Sequence, residues 1–120
     1  MGNEISDQHS SELLKGTLQI IILKMLSDNP RMYGYEITQR VRELSQETIL
    51  LTEGSLYPTL HRLVAEGFLK TETVPIGKRI RKYYSLTKEG KKSATSRVEE
   101  FMSFVRTMSL VLNIRPGSLE

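Results

Sequence analysis

Between Glu53 and Gly67 the sequence EGSLYPTLHRLVAEG places Leu56, Leu60, Leu63 and Val64 at successive spacings of four, three and one. At about 100° per residue these four share one face of a helix, and that face has to be buried. The rest of the wheel follows: Ser55, Pro58, Arg62 and Ala65 point the opposite way, with Tyr57 and His61 on one flank. An ordinary amphipathic surface helix has the same periodicity. Small, hydrogen-bonding, aromatic and cationic groups displayed from an anchored helix are also what a helix needs in order to enter a DNA major groove. Thr52 and Ser55 are both competent N-caps for this helix, and Ser55 is preferred because it leaves Pro58 in the first turn, where a backbone N–H has no intrahelical partner. Gly67 marks the stop.

The chain of 120 residues has room for one domain with a modest core. It contains no cysteine, which excludes a disulfide scaffold, a cysteine-ligated zinc finger and a thiol nucleophile. His9 and His61, the two histidines, lie far apart with no carboxylate patterned around either, so no metal site and no cofactor is expected. His61 also lacks a patterned nucleophile or acid, so the residues do not suggest an enzyme and no catalytic residue is assigned. The longest apolar run, Ile20 to Leu23, is far too short to span a membrane, and the expected location is the cytoplasm.

The formal net charge is +3, but its distribution is uneven: residues 54 to 97 carry +7 and the remainder −4. A basic segment set against acidic flanks suits one surface that faces a polyanion, although a solvated basic face with no partner would have the same composition.

Residues 1–11 are polar and are expected to form a mobile arm. Leu14, Leu18, Ile21, Ile22, Met25 and Leu26 then form a helical stripe that stops at Asp28-Asn29-Pro30. A second helix after Met32 turns Ile37, Val41 and Leu44 inward, with Tyr33 and Gly34 at its start. Thr48 to Leu51 reads as one short strand. Phe68–Val74 and Ile80–Leu86 read as a hairpin joined through Pro75-Ile76-Gly77. In its second strand Ile80, Tyr84 and Leu86 share a packing face with Lys82, and Arg79, Arg81, Tyr83 and Ser85 share the other. The cations of Lys78 to Lys82 suit contact with a polyanion, and equally suit protection of an exposed strand edge.

Thr87 is a good N-cap for a last helix running to about Asn113, before Pro116 and Gly117. Ala94, Val98, Phe101, Val105, Met108 and Leu112 alternate four and three apart along it, an a/d seam that predicts pairing with a second copy. The expected division is therefore an arm at 1–11, a winged helix-turn-helix at 12–86, a dimerisation helix at 87–114 and a tail at 115–120. The fold class is mainly α with a small β-hairpin.

YGYEI at Tyr33 to Ile37, EGSLYPTLHRLVAEGFL at Glu53 to Leu69 and RKYYSLTKEG at Arg81 to Gly90 occur in that order. Over roughly Leu13 to Asn113 the chain resembles the PadR-like transcriptional regulators of the short type, in which one long helix follows the wing. The resemblance implies a homodimeric repressor-type regulator that binds double-stranded operator DNA and is released by a small molecule. By matching position it assigns Ser55, Tyr57, Pro58, His61 and Arg62 to the recognition helix, Lys78, Arg79 and Arg81 to the wing, and Tyr33 to a place near phosphate. It also suggests a planar aromatic effector between the paired long helices, near Phe101, with Phe104 on the edge. The chain departs from the pattern where Ile80 interrupts the basic run of the wing, and in having no tryptophan on the long helix. The alternative is a winged module that binds protein instead of DNA, for which an apolar or acidic outer face on the Ser55–Arg62 helix would be the mark. The sequence has neither.

Overall fold

A computed structural model describes residues 11–115, so all of the expected arm at 1–11 but Ser11, which opens the first helix, and all of the expected tail at 115–120 but Arg115 lie outside the described residues. Helix α1 spans Ser11–Asp28, strand β1 is Met32–Tyr33, and α2 is Gly34–Leu44. Helix α3 is Glu53–Ala65, β2 and β3 are Leu69–Ile76 and Arg79–Leu86, and α4 is Lys88–Val111. The three strands form an antiparallel sheet in the order β1-β3-β2. This is a winged helix-turn-helix with a long C-terminal helix.

The core is one cluster. Leu18, Ile22, Leu23 and Leu26 of α1 meet Ile37 and Val41 of α2, Leu56, Leu60 and Leu63 of α3, and Leu69, Tyr84 and Leu86 of the sheet. Ala94 joins the same cluster, so the first turns of α4 belong to the winged body. Gly90 makes that docking close: a Cβ there would collide with the carbonyl oxygen of Phe68 and come within 2.9 Å of its carbon. Thr87 holds the junction, donating from Oγ1 to the Gly67 carbonyl at 2.6 Å and accepting from the Gly90 N–H at 3.0 Å.

Several sequence expectations are corrected. The cap of α3 is Thr52, whose Oγ1 accepts from the Ser55 N–H at 3.3 Å, and Ser55 is three residues into the helix. Pro58 therefore stands in the second turn. Its missing N–H leaves one helical hydrogen bond unmade near the helix start, where water reaches the exposed Gly54 and Pro58. The hairpin ladder runs through Pro75↔Ile80 to Ile76↔Arg79, so the turn is Gly77-Lys78. Gly77 at φ +61 followed by a residue of ordinary φ is the type II′ arrangement that suits a two-residue hairpin. Pro75 is accommodated because β2 is an edge strand. Ile80 lies beyond the core at the hairpin tip and is exposed, and Leu44, the last residue of α2, is exposed as well. In place of a strand at Thr48–Leu51 there is an isolated bridge at Ile49.

Three helices end the same way. After α3, Phe68 N–H bonds to Leu63 O at 3.0 Å and Gly67 N–H to Val64 O at 3.0 Å, a Schellman cap with Gly67 at φ +85. After α4, Ile114 N–H bonds to Ser109 O at 2.8 Å with Asn113 at φ +57, so this cap ends the helix before Pro116. After α2, Glu47 N–H bonds to Arg42 O at 2.8 Å, yet Gln46 and Glu47 hold φ of +54 and +64. A side chain in this region costs roughly 1–2 kcal/mol. Part of that is recovered when glycine is substituted, because glycine also loosens the unfolded chain. Gln46→Gly is therefore expected to raise stability by about 0.5–1 kcal/mol. Urea denaturation checks this, and an unchanged or lower midpoint would contradict the strain assigned to Gln46.

Candidate nucleic-acid interface

With Leu56, Leu60 and Leu63 fully buried, the rotation of α3 is settled. Pro58, His61 and Arg62 are exposed on its far side. Ser55 and Tyr57 are different. The Ser55 hydroxyl is engaged at the helix start, donating to the Thr52 carbonyl at 3.0 Å. Tyr57 is half-buried against the core, with its ring 6.3 Å from that of His61. Thr59, buried at 7% exposure, donates to the Ser55 carbonyl at 3.3 Å and so brings no unpaired hydroxyl into the core.

Tyr57 reaches across to the start of α2. A Cβ on Gly34 would lie 2.8 Å from Tyr57 Cζ, which makes Gly34 the contact that lets α2 and α3 approach. The start of α2 is otherwise ordered by Glu36, whose carboxylate accepts from the Tyr33 N–H at 3.1 Å.

Tyr33 belongs to a ladder of rings and cations on the outer face of the sheet. The Arg81 guanidinium lies 4.0 Å over the Tyr33 ring, Tyr33 meets Tyr83 edge-on at 5.5 Å, and Arg31 lies 4.0 Å over Tyr83. Arg31 also pairs with Glu72 of β2 at 2.9 Å. Cation–π contacts are worth about 0.5–1 kcal/mol each at exposed sites, so together they brace the wing against β1. The neighbouring Tyr83 side chain holds the Arg81 pKa above its usual value. Arg81 thus has a structural partner, which Lys78, Arg79 and Lys82 lack: they make no ion pair among the described residues.

The expected site residues are therefore brought together only in part. A concavity of about 420 Å³ opens between the helix ends and the wing, bordered by Tyr57 and His61 on one side and Arg79, Arg81 and Lys82 on the other. Tyr33 also borders it. Pro58 and Arg62 lie outside it on the exposed face of α3, and Lys78 occupies the hairpin turn. Lys82 was read from the sequence only as one of the cations of the wing, and Tyr35, exposed at the start of α2, borders the concavity too but was not singled out. Neither was the pairing of Arg31 with Tyr83, because a two-residue β1 leaves no periodic trace. At the concavity floor, burial pushes the Tyr84 hydroxyl above its usual pKa, with a smaller contribution from Tyr57, so it stays a neutral group there. Among the described residues no cluster of three metal-ligating side chains occurs, and no helix is long and apolar enough to cross a membrane.

The long helix divides into two parts. Arg97 donates to Gln19 of α1 and lies 5.0 Å over the Phe68 ring, while half-buried Val98 and Phe101 border an apolar groove of about 320 Å³ along α1. Beyond Phe101 most apolar residues face solvent: Phe104 is 57% exposed, Met102, Val105, Leu110, Val111 and Leu112 are exposed as well, and Met108 is half-buried.

Comparison with known proteins agrees with this architecture. The model of the transcriptional regulator PadR-like family matches residues 22–96. A transcriptional regulator of Mycobacterium tuberculosis is 36% identical over 84 residues, which cover 70% of this chain and 75% of that protein. The structure of a transcriptional regulator from Clostridium thermocellum superposes with a TM-score of 0.76 at 30% identity, covering 84% of this chain and 95% of the other. A PadR family transcriptional regulator from Eggerthella lenta gives a TM-score of 0.72 at 28% identity, covering 87% and 88%.

The close approach at Gly34 yields a direct test. Gly34→Ala forces Tyr57 to move and is expected to cost about 1–3 kcal/mol. Combining it with Tyr57→Ala should cost clearly less than the two single changes added, because the collision is then gone. Strict additivity in thermal or urea unfolding would contradict the contact.

Proposed function

The chain belongs to the PadR-like family of transcriptional regulators, and from that premise we propose that it works as a homodimer on palindromic operator DNA. In this reading α3 enters the major groove and the β2–β3 wing lies on the flanking backbone. The observation that carries it is the placement of Pro58, His61 and Arg62 on the exposed face of α3, beside a wing whose Lys78, Arg79 and Lys82 have no ionic partner among the described residues. A protein surface that leaves cations unneutralised next to a displayed helix suits a polyanion with grooves. Phosphates take the wing cations and set the register, and base edges take the helix side chains. Tyr33 and Arg81 stand near phosphate in this arrangement, and Ser55 and Tyr57 hold α3 in position. A winged module that binds protein is less well supported, because the outer face of α3 is neither apolar nor acidic.

Dimerisation is assigned to the distal half of α4. Val105, Met108 and Leu112 are spaced three and four apart, and together with Phe104 they leave an apolar surface on a helix roughly 36 Å long. Such a surface suits burial against a second copy. Of the proximal seam residues, half-buried Val98 and Phe101 contribute at its base, whereas Ala94 is already enclosed in the core of its own body. On this reading the bound dimer is a repressor. A planar aromatic compound seated between the paired helices, where the Phe101 and Phe104 rings lie 6.5 Å apart, releases it by altering the spacing of the two α3 helices. The same rings also serve as plain interface packing when no ligand is present.

Two kinds of contact are separable by measurement. Arg62→Ala should relax discrimination at one base position by about 1–3 kcal/mol, as expected for a lost bidentate guanine contact. Lys78→Ala with Arg79→Ala should weaken binding to every duplex alike and flatten the slope of log K against log salt by roughly two. Equal losses on selected and random duplexes for Arg62→Ala, or an unchanged salt slope for the wing pair, would contradict these roles. Phe104→Glu with Val105→Glu alters only exposed positions, so the fold should persist and sedimentation should report a monomer. A folded dimer would place the interface elsewhere.

A further inference from the structure

The wing tip carries an apolar surface that a phosphate-binding loop does not need. Ile80 is 75% exposed, its cross-strand partner Pro75 is exposed, and Ile76 lies 40% exposed one position nearer the turn. Single exposed apolar residues are ordinary. Here Ile80 and Pro75 stand opposite each other on one face of the hairpin, with Ile76 on the other face one position along, and the tip is hemmed by Lys78, Arg79, Arg81 and Lys82. Such a ring of cations makes the patch a poor site for an ordinary protein partner and brings it against a polyanion.

Position and stiffness add to the argument. Alternation along β3 puts Ile80 on the same side as Lys82 and Tyr84, the side on which the core and α3 lie. Ile80 and Tyr57 border the same concavity, so the apolar tip stands across from α3. The hairpin is paired over all eight positions from Leu69↔Leu86 to Ile76↔Arg79. Its base is clamped by Arg81 on Tyr33 and by Arg31 on Tyr83. A tip held in this way loses little freedom on binding.

Taking the DNA-binding reading above as given, we infer that Ile80, backed by Pro75, is a wedge that enters the minor groove flanking the site of α3 and opens a base step there. Branched aliphatic side chains and proline serve as such wedges, and flexible pyrimidine–purine steps open most easily. Lys78, Arg79 and Lys82 hold the phosphates on either side, which lets an uncharged residue occupy the groove itself. The contact favours deformable flanking sequence without a hydrogen bond to any base. It also gives the interruption of the basic run by Ile80 a role.

The test uses the full chain and a duplex that the wild-type protein selects from a random pool, with the fluorescent adenine analogue 2-aminopurine placed in turn at adenines flanking the selected motif. Wild-type binding should raise fluorescence at one flanking step in each half-site. Ile80→Ala should lose that signal and at least roughly fivefold in affinity, with no change in salt slope, since an apolar contact releases no counterion. Ile80→Met should retain both. Stability should be unaltered in either variant because the position is exposed. If Ile80→Ala binds and reports like wild type, or if its salt slope falls, the wedge is wrong while DNA binding stands. If the wild-type protein retains no duplex from the pool, the DNA-binding reading fails and the wedge fails with it.

Discussion

Burial of Leu56, Leu60 and Leu63 determines which side chains α3 can show to a partner. Each such leucine removed from water contributes about 1.5–3 kcal/mol, so turning the helix to display another face would forfeit most of its anchorage. Pro58 is tolerated under the same constraint. It interrupts the hydrogen-bond ladder near the helix start, but Thr52 caps that end and the leucines hold the rest. Its ring stands on the exposed face, which displays it at the cost of one hydrogen bond.

The wing depends on a different set of contacts. Few core residues lie beneath the hairpin past Tyr84, so its direction relies on the Arg81–Tyr33 and Arg31–Tyr83 stacks and on the Arg31–Glu72 pair. Tyr33 also stands at the N-cap position of α2, its N–H held by Glu36, and Gly34 admits Tyr57 of α3, so the sheet, α2 and α3 meet within two consecutive residues. The YGY segment is therefore first of all a joint. Its proximity to phosphate would follow from where that joint sits.

The helices were legible in the sequence because each carries apolar residues at helical spacing, and α3 buries its three leucines as that spacing predicts, whereas α1 also buries Leu23 outside the expected stripe and α2 leaves Leu44 exposed. The family motifs were legible for the same reason, since they fall on packed junctions whose geometry demands particular residues, such as Gly34 and Gly90. Local turn chemistry was read less well. The II′ turn at Gly77-Lys78 and the Schellman end at Asn113 displaced the expected boundaries, because each rests on a single residue of positive φ and not on a periodic pattern. Two-residue β1 was invisible, and with it the ladder that gives Arg81 a structural partner. The heptad reading of α4 treated as one seam what the fold divides, since Ala94, Val98 and Phe101 pack on the body while Phe104, Val105 and Leu112 are exposed.

That division joins the proposed dimer to the proposed DNA contact. The proximal half of α4 is fixed to the body through Gly90, Ala94 and Arg97, so pairing of the distal halves would set the distance between two α3 helices with little play. Helices that read successive major grooves on one side of a duplex must lie roughly 34–36 Å apart. Hydroxyl-radical footprinting on a selected duplex measures this directly. Two protected blocks related by a dyad, with centres about 10 base pairs apart, are expected. A single block, or protection without phase that is indifferent to sequence, would contradict the account.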